Sequence, residues 1–177
     1  MQRAIQNPAP PTARYLCVEL AAEHYAIPIL AVREIQAYAP PTPLPQMPAH
    51  LRGVVNLHGD IVPVVDLRLR VGMAEQPYGR LTVIVFVTSA AQTVGLIVDA
   101  AARVIDLERA SLRPPPELAE GVDVAVIAGI ARAGDRVIVA LDVEALVRGD
   151  PALAASATTP APHAAPPDAR PDDRRNS

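Results

Sequence analysis

The sequence contains little of what secreted proteins, metalloproteins and membrane proteins usually require. Its 177 residues include one cysteine, Cys17, and no tryptophan, and aromatic residues make up only 3% of the chain. A single cysteine excludes an internal disulfide and any multi-cysteine metal site. No apolar stretch reaches the roughly 18–20 residues that a bilayer-spanning helix needs, and residues 1–13 lack a signal-peptide core. These absences predict a cytoplasmic protein with no direct membrane insertion.

Groups that carry catalysis or nucleic-acid binding are equally sparse. No two of the four histidines share metal-ligand spacing, and the chain has no Gly-rich phosphate loop and no nucleophile motif. The net charge of −3 argues against nucleic-acid binding, which would need a basic groove with stacking aromatics. We therefore predict a binding module that is not an enzyme and uses no cofactor or metal. A small β-barrel that binds a ligand or nucleic acid is the alternative, and a hydrolase or transferase is disfavoured.

The stretch Leu51–Arg68 predicts a β-hairpin. Two apolar runs rich in β-branched residues flank a short polar segment, in which Gly59 and Asp60 can adopt the positive φ angles of a tight turn. Pro63 cannot donate a backbone hydrogen bond, so the second strand is expected to be an edge strand or to be bulged there. Asp66 follows this strand and is expected to cap a short helix, Leu67–Val71.

Similar patterns predict a mainly β chain with flexible ends. Further strands are expected at Arg14–Leu20, His24–Pro28, Leu81–Val87, Thr93–Val98, Val104–Ile105, Val122–Ala131 and Arg136–Leu141. The almost wholly apolar strand Leu81–Val87 should be covered on both faces, where two subdomains meet. A helical turn is expected at Asp99–Arg103, and a final helix at Val143–Val147, capped by Asp142. Residues 1–13 are expected to form a flexible arm, and the Pro/Ala-rich residues 150–177 a disordered tail.

Two elements recur in the same order along the chain. Tyr25–Ile35 resembles Val94–Val104, and Gly53–Leu67 resembles Gly129–Val143, with Gly-Asp at each hairpin tip and an Asp closing each return strand. Self-similarity of this kind predicts two related β-subdomains, although Val-rich strands also resemble one another by chance. Each half carries about five short strands, so one small closed barrel per half would remove the exposed edges.

The motifs of the chain, taken together, resemble those of the CheW family, the adaptor proteins of bacterial chemosensory arrays. The resemblance runs from about Arg14 to Arg148. The matching segments are YAIPILAVREI at 25–35, LRGVVNL at 51–57, GDIVPVVDLR at 59–68, VGLIVD at 94–99 and RPPPE at 113–117. It implies a mainly β fold in which two pseudo-repeated, five-stranded SH3-like barrels intertwine within residues 14–149, with short helices and a short C-terminal helix.

The same resemblance implies a function without catalysis. Members of this family dock onto the regulatory domain of a chemotaxis histidine kinase and onto the cytoplasmic tips of chemoreceptors, and other CheW-like domains are further expected partners. Such a protein is associated with the membrane only through the receptor array. The alternative within the family is a paralogue that serves a non-flagellar pathway, for example a pilus-linked one. By motif alignment, the residues expected to contact partners are Val32, Glu34, Thr42, Gly53, His58, Val83, Val104 and Leu118.

One position departs from the family pattern. His58 stands where the family usually has an arginine that pairs with the acid matching Glu34. A neutral imidazole cannot replace the permanently charged guanidinium fork. We therefore expect Glu34 and His58 to remain in contact, and the contact to strengthen below about pH 6.5, where histidine becomes charged.

Overall fold

Short strands dominate the structure, as the Val- and Ile-rich composition favours. The computed structural model describes residues 12–90, 92–116 and 123–156. Its ten strands are β1 Thr12–Leu20, β2 Glu23–Pro28, β3 Val32–Ala37, β4 Leu51–Leu57, β5 Asp60–Asp66, β6 Val83–Thr88, β7 Thr93–Val98, β8 Ala100–Glu108, β9 Ile127–Ala133 and β10 Arg136–Leu141. The helices in these ranges are α1 Leu67–Arg70, α2 Val143–Arg148 and α3 Pro151–Ser156, with 3₁₀ turns at Ile29–Ala31, Arg109–Ser111 and Val124–Val126. None of these described helices is long and apolar enough to span a bilayer.

The strands form two five-stranded sheets, one of which combines strands from both ends of the chain. The first sheet, called barrel 1 here, has the order β3-β6-β7-β5-β4, and the second, called barrel 2, has the order β8-β1-β2-β10-β9. The expectation of one barrel per half of the chain is therefore wrong, because β1 and β2 pair with the last three strands. Parallel pairing of β2 with β10, through Ala26 opposite Ala140, joins the two ends of the chain.

Each sheet is closed by the segment that follows one of its edge strands, β3 in barrel 1 and β8 in barrel 2. In barrel 1, Thr42 and Val54 exchange two backbone hydrogen bonds of 2.9 Å. In barrel 2, Arg113 and Ile130 exchange a corresponding pair of 2.9 and 2.8 Å. These bridges provide partners for edge strands that would otherwise be open.

The internal repeat is confirmed by the strand register. In barrel 1, Val64 of β5 lies opposite Gly95 of β7, and in barrel 2, Ala140 of β10 lies opposite Ala26 of β2. The turn of the first hairpin, however, is one residue earlier than predicted. His58 and Gly59 have φ angles of +52° and +98°, and Asp60 already belongs to β5. Two positive φ angles in succession are the signature of a type I′ turn, which matches the twist of the strands.

The apolar residues divide among three clusters because neighbouring strand residues face opposite sides of each sheet. A small cluster fills each barrel, with Phe86 and Ile97 in barrel 1 and Tyr15 and Ile138 in barrel 2. A larger shared core lies between the barrels and includes Val85, Leu96, Leu141 and other residues of both. β6 contributes to the barrel 1 cluster with one face and to the shared core with the other. The prediction that Leu81–Val87 is covered on both faces, where two subdomains meet, is confirmed for β6.

The helix caps are as predicted. The side chain of Asp66 accepts a hydrogen bond of 3.0 Å from the backbone N–H of Arg68, and that of Asp142 accepts one of 2.9 Å from Ala145. α1 begins at Leu67 and α2 at Val143, so both short helices start where their acidic caps predicted.

Several local predictions are wrong. The expected helical turn at Asp99–Arg103 lies mostly within β8, because this segment pairs along β1 from Ala100 onward. β9 begins only at Ile127, after a 3₁₀ turn at Val124–Val126. β5 is an inner strand without a bulge at Pro63, which is tolerated because pairing with β7 starts at the next residue, Val64.

The ends of the described region also differ from the predictions. β1 begins at Thr12, inside the expected arm, and α3 occupies the first residues of the expected tail. Leu153 of α3 is fully buried in the shared core, which explains why this helix is docked. Residues 1–11 and 157–177, the rest of the expected arm and tail, lie outside the described residues.

A buried arginine connects the two barrels. Arg68 of α1 is only 1% exposed, and it donates to Asp66 and lies 3.0 Å from an oxygen of Asp99. The other carboxylate oxygen of Asp99 accepts a hydrogen bond of 2.7 Å from the backbone N–H of Ala21, in the β1–β2 turn of barrel 2. Burial alone would lower the pKa of Arg68, but its bonds to Asp66 and the charge of Asp99 raise it overall. Arg68 therefore stays charged and links α1 of barrel 1 to a turn of barrel 2.

Candidate functional site

A groove of about 730 Å³ opens on the outside of barrel 2. It exists because β2 ends at Pro28, so that β1 residues 12–14 pair with β8 on one side and have no β2 partner on the other. The 3₁₀ turn Ile29–Ala31 leaves β2 at this point, and the side chain of Leu30 stands almost fully in solvent, at 99% exposure. Tyr15 also lines the groove, and Arg14, Asp106 and Arg109 supply charged groups.

Two of the predicted contact residues lie at opposite ends of the β3–β6 strand pair of barrel 1. Val32 begins β3, where it faces Val87, and Val83 begins β6, where it faces Ala37. Both valines are half-buried and pack against the shared core. They therefore support the junction between barrels while part of each side chain remains accessible.

The predicted contact between Glu34 and His58 is present. Nε2 of His58 lies 2.8 Å from a carboxylate oxygen of Glu34. Gln36 donates to the other oxygen of the same carboxylate. The hydrogen bond from His58, followed by that from Gln36, lowers the pKa of Glu34 below its ordinary value. At the base of the turn, the side chain of Asn56 accepts a hydrogen bond of 2.8 Å from the backbone N–H of Gly59, which fixes the position of His58.

Thr42 and Gly53 are brought together by their backbones. A Cβ atom on Gly53 would lie 2.1 Å from the carbonyl oxygen of Thr42, and Gly53 has a φ angle of +135°. Only glycine fits this approach and this conformation. Thr42 and Gly53 therefore have a structural role, because their close approach helps to close barrel 1.

Two predicted residues remain. Val104 lies on β8 of barrel 2, opposite Leu16, and is 51% exposed. Leu118 lies outside the described residues. The structure therefore pairs Glu34 with His58 and brings Thr42 to Gly53 in barrel 1, and it places Val104 on the other barrel.

Sequence reasoning missed Leu30. Helical spacing picked out Ile29 and Val32, and in a 3₁₀ turn residues three apart do share one side. Leu30 then points away from them and from the core, and it is the most exposed large apolar residue among those described. A large aliphatic side chain immediately after Pro28-Ile29 in a turn of only three residues was the available signal.

The aromatic side chains are either buried or packed against one another. Phe86, Tyr15 and Tyr25 are at most 8% exposed, and the rings of Tyr38 and Tyr78 pack against each other with centroids 4.5 Å apart. These are all the aromatic residues in the chain. No ring stands free as a platform on which nucleic-acid bases could stack.

Comparison with known proteins assigns the family. The family model described as the CheW-like domain matches residues 14–150. The chain is 32% identical to "Chemotaxis protein CheW" of Klebsiella aerogenes over 136 residues, which is 77% of this chain and 82% of that protein. It is also 32% identical to "Chemotaxis protein CheW" of Rhizobium meliloti over 125 residues, 70% of this chain and 80% of that protein.

A solved structure agrees with the sequence relatives. The scaffolding protein TtCheW of Thermoanaerobacter tengcongensis superimposes with a TM-score of 0.72 at 31% sequence identity, over 82% of this chain and 94% of that one. The two intertwined five-stranded barrels described above are thus matched in both sequence and structure, and the chain belongs to the CheW-like domain family.

Proposed function

We propose that this protein is a non-catalytic adaptor of bacterial chemotaxis that couples chemoreceptors to a chemotaxis histidine kinase. The observation that carries this proposal is the match to the CheW-like domain over residues 14–150, together with relatives named as chemotaxis proteins. The partners are the regulatory domain of the kinase, the cytoplasmic tips of the receptors, and other CheW-like domains. The protein reaches the membrane through the receptor array.

The groove beside Leu30 is the docking site that we assign to one of these partners. Contiguous exposed apolar residues beside a strand with an open side are features of protein interaction sites. Leu30 lines the groove, exposed Val104 precedes the groove residue Asp106 by two positions on β8, and Val32 directly follows the turn. Leu118, which the resemblance places near a kinase-contact loop, remains part of the proposal for the kinase side.

The Glu34–His58 pair is proposed to form a polar rim of the receptor side. Its position at the tip of the β4–β5 hairpin leaves the imidazole 63% exposed, so a partner can reach it. Val83, whose half-buried side chain remains partly accessible, is assigned to the same receptor side by the family resemblance. A function as a ligand-binding or nucleic-acid-binding module is disfavoured, because the aromatic rings are buried or packed against one another and the net charge is −3.

A pull-down against a chemotaxis kinase regulatory domain and a receptor-tip fragment tests the proposal. Leu30→Asp and Val104→Asp should each lower capture of the receptor fragment at least about tenfold, since a charge is placed in an apolar contact. Val137→Asp is the matched control, because Val137 is 55% exposed on β10, a strand that contributes no residue to the groove, whereas β8, which carries Val104, contributes Asp106. Wild-type protein that captures neither partner would contradict the proposed function.

Val32→Asp is a further test at the junction of the barrels. It should abolish receptor capture and leave the far-UV circular dichroism spectrum intact. Because Val32 also packs against the shared core, its thermal unfolding has to be measured alongside. Unchanged capture by a folded variant would contradict the assignment of Val32 to the receptor site.

A further inference from the structure

One end of barrel 2 holds a small cavity that the adaptor function does not use. Its volume is about 80 Å³, enough for one small ion. Four strands contribute polar side chains to its wall, namely Cys17 from β1, His24 from β2, Arg103 from β8 and Arg136 from β10. Cys17 is 4% exposed and forms the buried floor, whereas both arginines are exposed.

The two arginines lack acidic partners. None of the ion pairs within residues 12–90, 92–116 and 123–156 involves Arg103 or Arg136. Arg136 instead donates a hydrogen bond of 3.2 Å to Nε2 of His24. Nε2 then accepts, so the ring proton is on Nδ1, which is buried and has no hydrogen-bond partner among the described residues. Arg136 and His24 therefore both present hydrogen-bond donors here, and the Nδ1–H of His24 has no acceptor among the described residues.

Glu19 is the acid that acts on the Cys17 thiol at this end of the barrel. It follows Cys17 by two residues on the same face of β1, and it lies opposite His24 in the strand register. Burial raises the pKa of the Cys17 thiol, while Arg103 lowers it, Glu19 raises it and Arg136 lowers it. Both guanidiniums therefore act on the cavity floor, and with one carboxylate against two guanidiniums the local charge stays positive.

We propose that this cavity binds a phosphate-sized oxyanion between Arg103 and Arg136, with His24 holding the Arg136 guanidinium in place through its hydrogen bond. Guanidinium groups donate paired hydrogen bonds to phosphate oxygens, and bonds of this charged kind are about twice as strong as neutral ones. The volume admits one anionic group and no larger body. The anion is either inorganic phosphate or the phosphate group of a small monoester whose remainder stays in solvent.

The test is a titration of the full chain with inorganic phosphate and, separately, with glycerol 3-phosphate, at constant ionic strength. Backbone amide shifts in NMR spectra at Cys17, His24 and the two arginines should saturate with one or both ligands. Because Cys17 is the single thiol, its alkylation by iodoacetamide is a second and specific readout. A bound anion should slow this reaction by covering the cavity floor and by raising the thiol pKa.

Matched variants distinguish specific anion binding in the cavity from a general effect of positive charge. Arg103→Gln and Arg136→Gln should each weaken binding about tenfold or more. Arg132→Gln removes the same charge from β9, next to Ala133 but outside the cavity wall, and should leave binding unchanged. All three should keep the far-UV circular dichroism spectrum of the wild type. Absence of saturable shifts with both ligands, or equal weakening by Arg132→Gln, would overturn the proposal.

Discussion

Replacement of Arg68 by methionine tests the buried link between the barrels. Arg68 is enclosed by Asp66, the carbonyl oxygen of Gln76 at 3.0 Å, an oxygen of Asp99 at 3.0 Å, and the ring of Tyr78 at 5.2 Å. Methionine replaces the unbranched stem of the arginine side chain and removes the charged guanidinium, which leaves Asp66 fully buried without a cation. Breaking a buried ion pair from one side typically costs about 3–5 kcal/mol. We expect the free energy of unfolding to fall by that amount.

Arg52→Met provides the matched control for this experiment. Arg52 approaches the same ring of Tyr78 at 5.8 Å and pairs with Glu75 at 2.9 Å. Its side chain is 30% exposed and that of Glu75 60% exposed, so the pair is accessible to solvent. Solvent-exposed ion pairs contribute about 0–1 kcal/mol, so this variant should lose no more than about 1 kcal/mol.

The assay is urea unfolding followed by circular dichroism, with the m-value checked for each variant. A double-mutant cycle with Asp99→Asn then measures the part of the energy that joins α1 to the β1–β2 turn. If Arg68→Met lost less than about 1 kcal/mol, or no more than Arg52→Met, the buried network would not stabilise the barrel pair and the reasoning would be refuted.

Three further predictions follow from single residues. Gly53→Ala should lower the free energy of unfolding by about 3 kcal/mol or more in urea titrations, because its Cβ would lie 2.1 Å from a backbone oxygen; Gly59→Ala, with open space around it, should lose only about 1–2 kcal/mol. In calorimetric titrations, His58→Ala should weaken receptor binding because it removes the hydrogen bond to the Glu34 carboxylate, whose pKa is lowered by that bond, whereas His58→Arg should preserve binding; binding by His58→Ala equal to that of the wild type would count against the pair. Burial, followed by a nearby carboxylate, raises the pKa of Tyr25 to about 12. The folded state therefore holds this proton more tightly than the unfolded state between about pH 10 and 12, so stability falls as pH rises there. Tyr25→Phe should reduce that fall in alkaline melting curves, and an unchanged slope would disprove the assignment.

The sequence predicted local structure best where one residue determines the geometry. Asp66 and Asp142 cap the helices that were expected of them, because a carboxylate at the end of a strand satisfies free N–H groups of the following turn. The contact between Glu34 and His58 was also anticipated, since the family resemblance placed both residues in one pair.

The pairing of β1 and β2 with the last three strands and the burial of Arg68 could not be predicted in the same way. Pairing of Ala26 with Ala140 depends on which edge each hairpin presents, and local alternation of apolar residues is the same for either partner. The burial of Arg68 had no local signal, because its partner Asp99 lies between β7 and β8, far along the chain. The exposure of Leu30 depends on β2 ending at Pro28, a tertiary feature that periodicity does not contain.

Co-sedimentation with receptor-bearing vesicles is the most direct measurement of adaptor function. Purified kinase should sediment with these vesicles only when this protein is present, and the amount should fall with Leu30→Asp but not with Val137→Asp. Kinase that sediments equally with and without the protein, or protein that binds the vesicles without bringing the kinase down, would contradict the account.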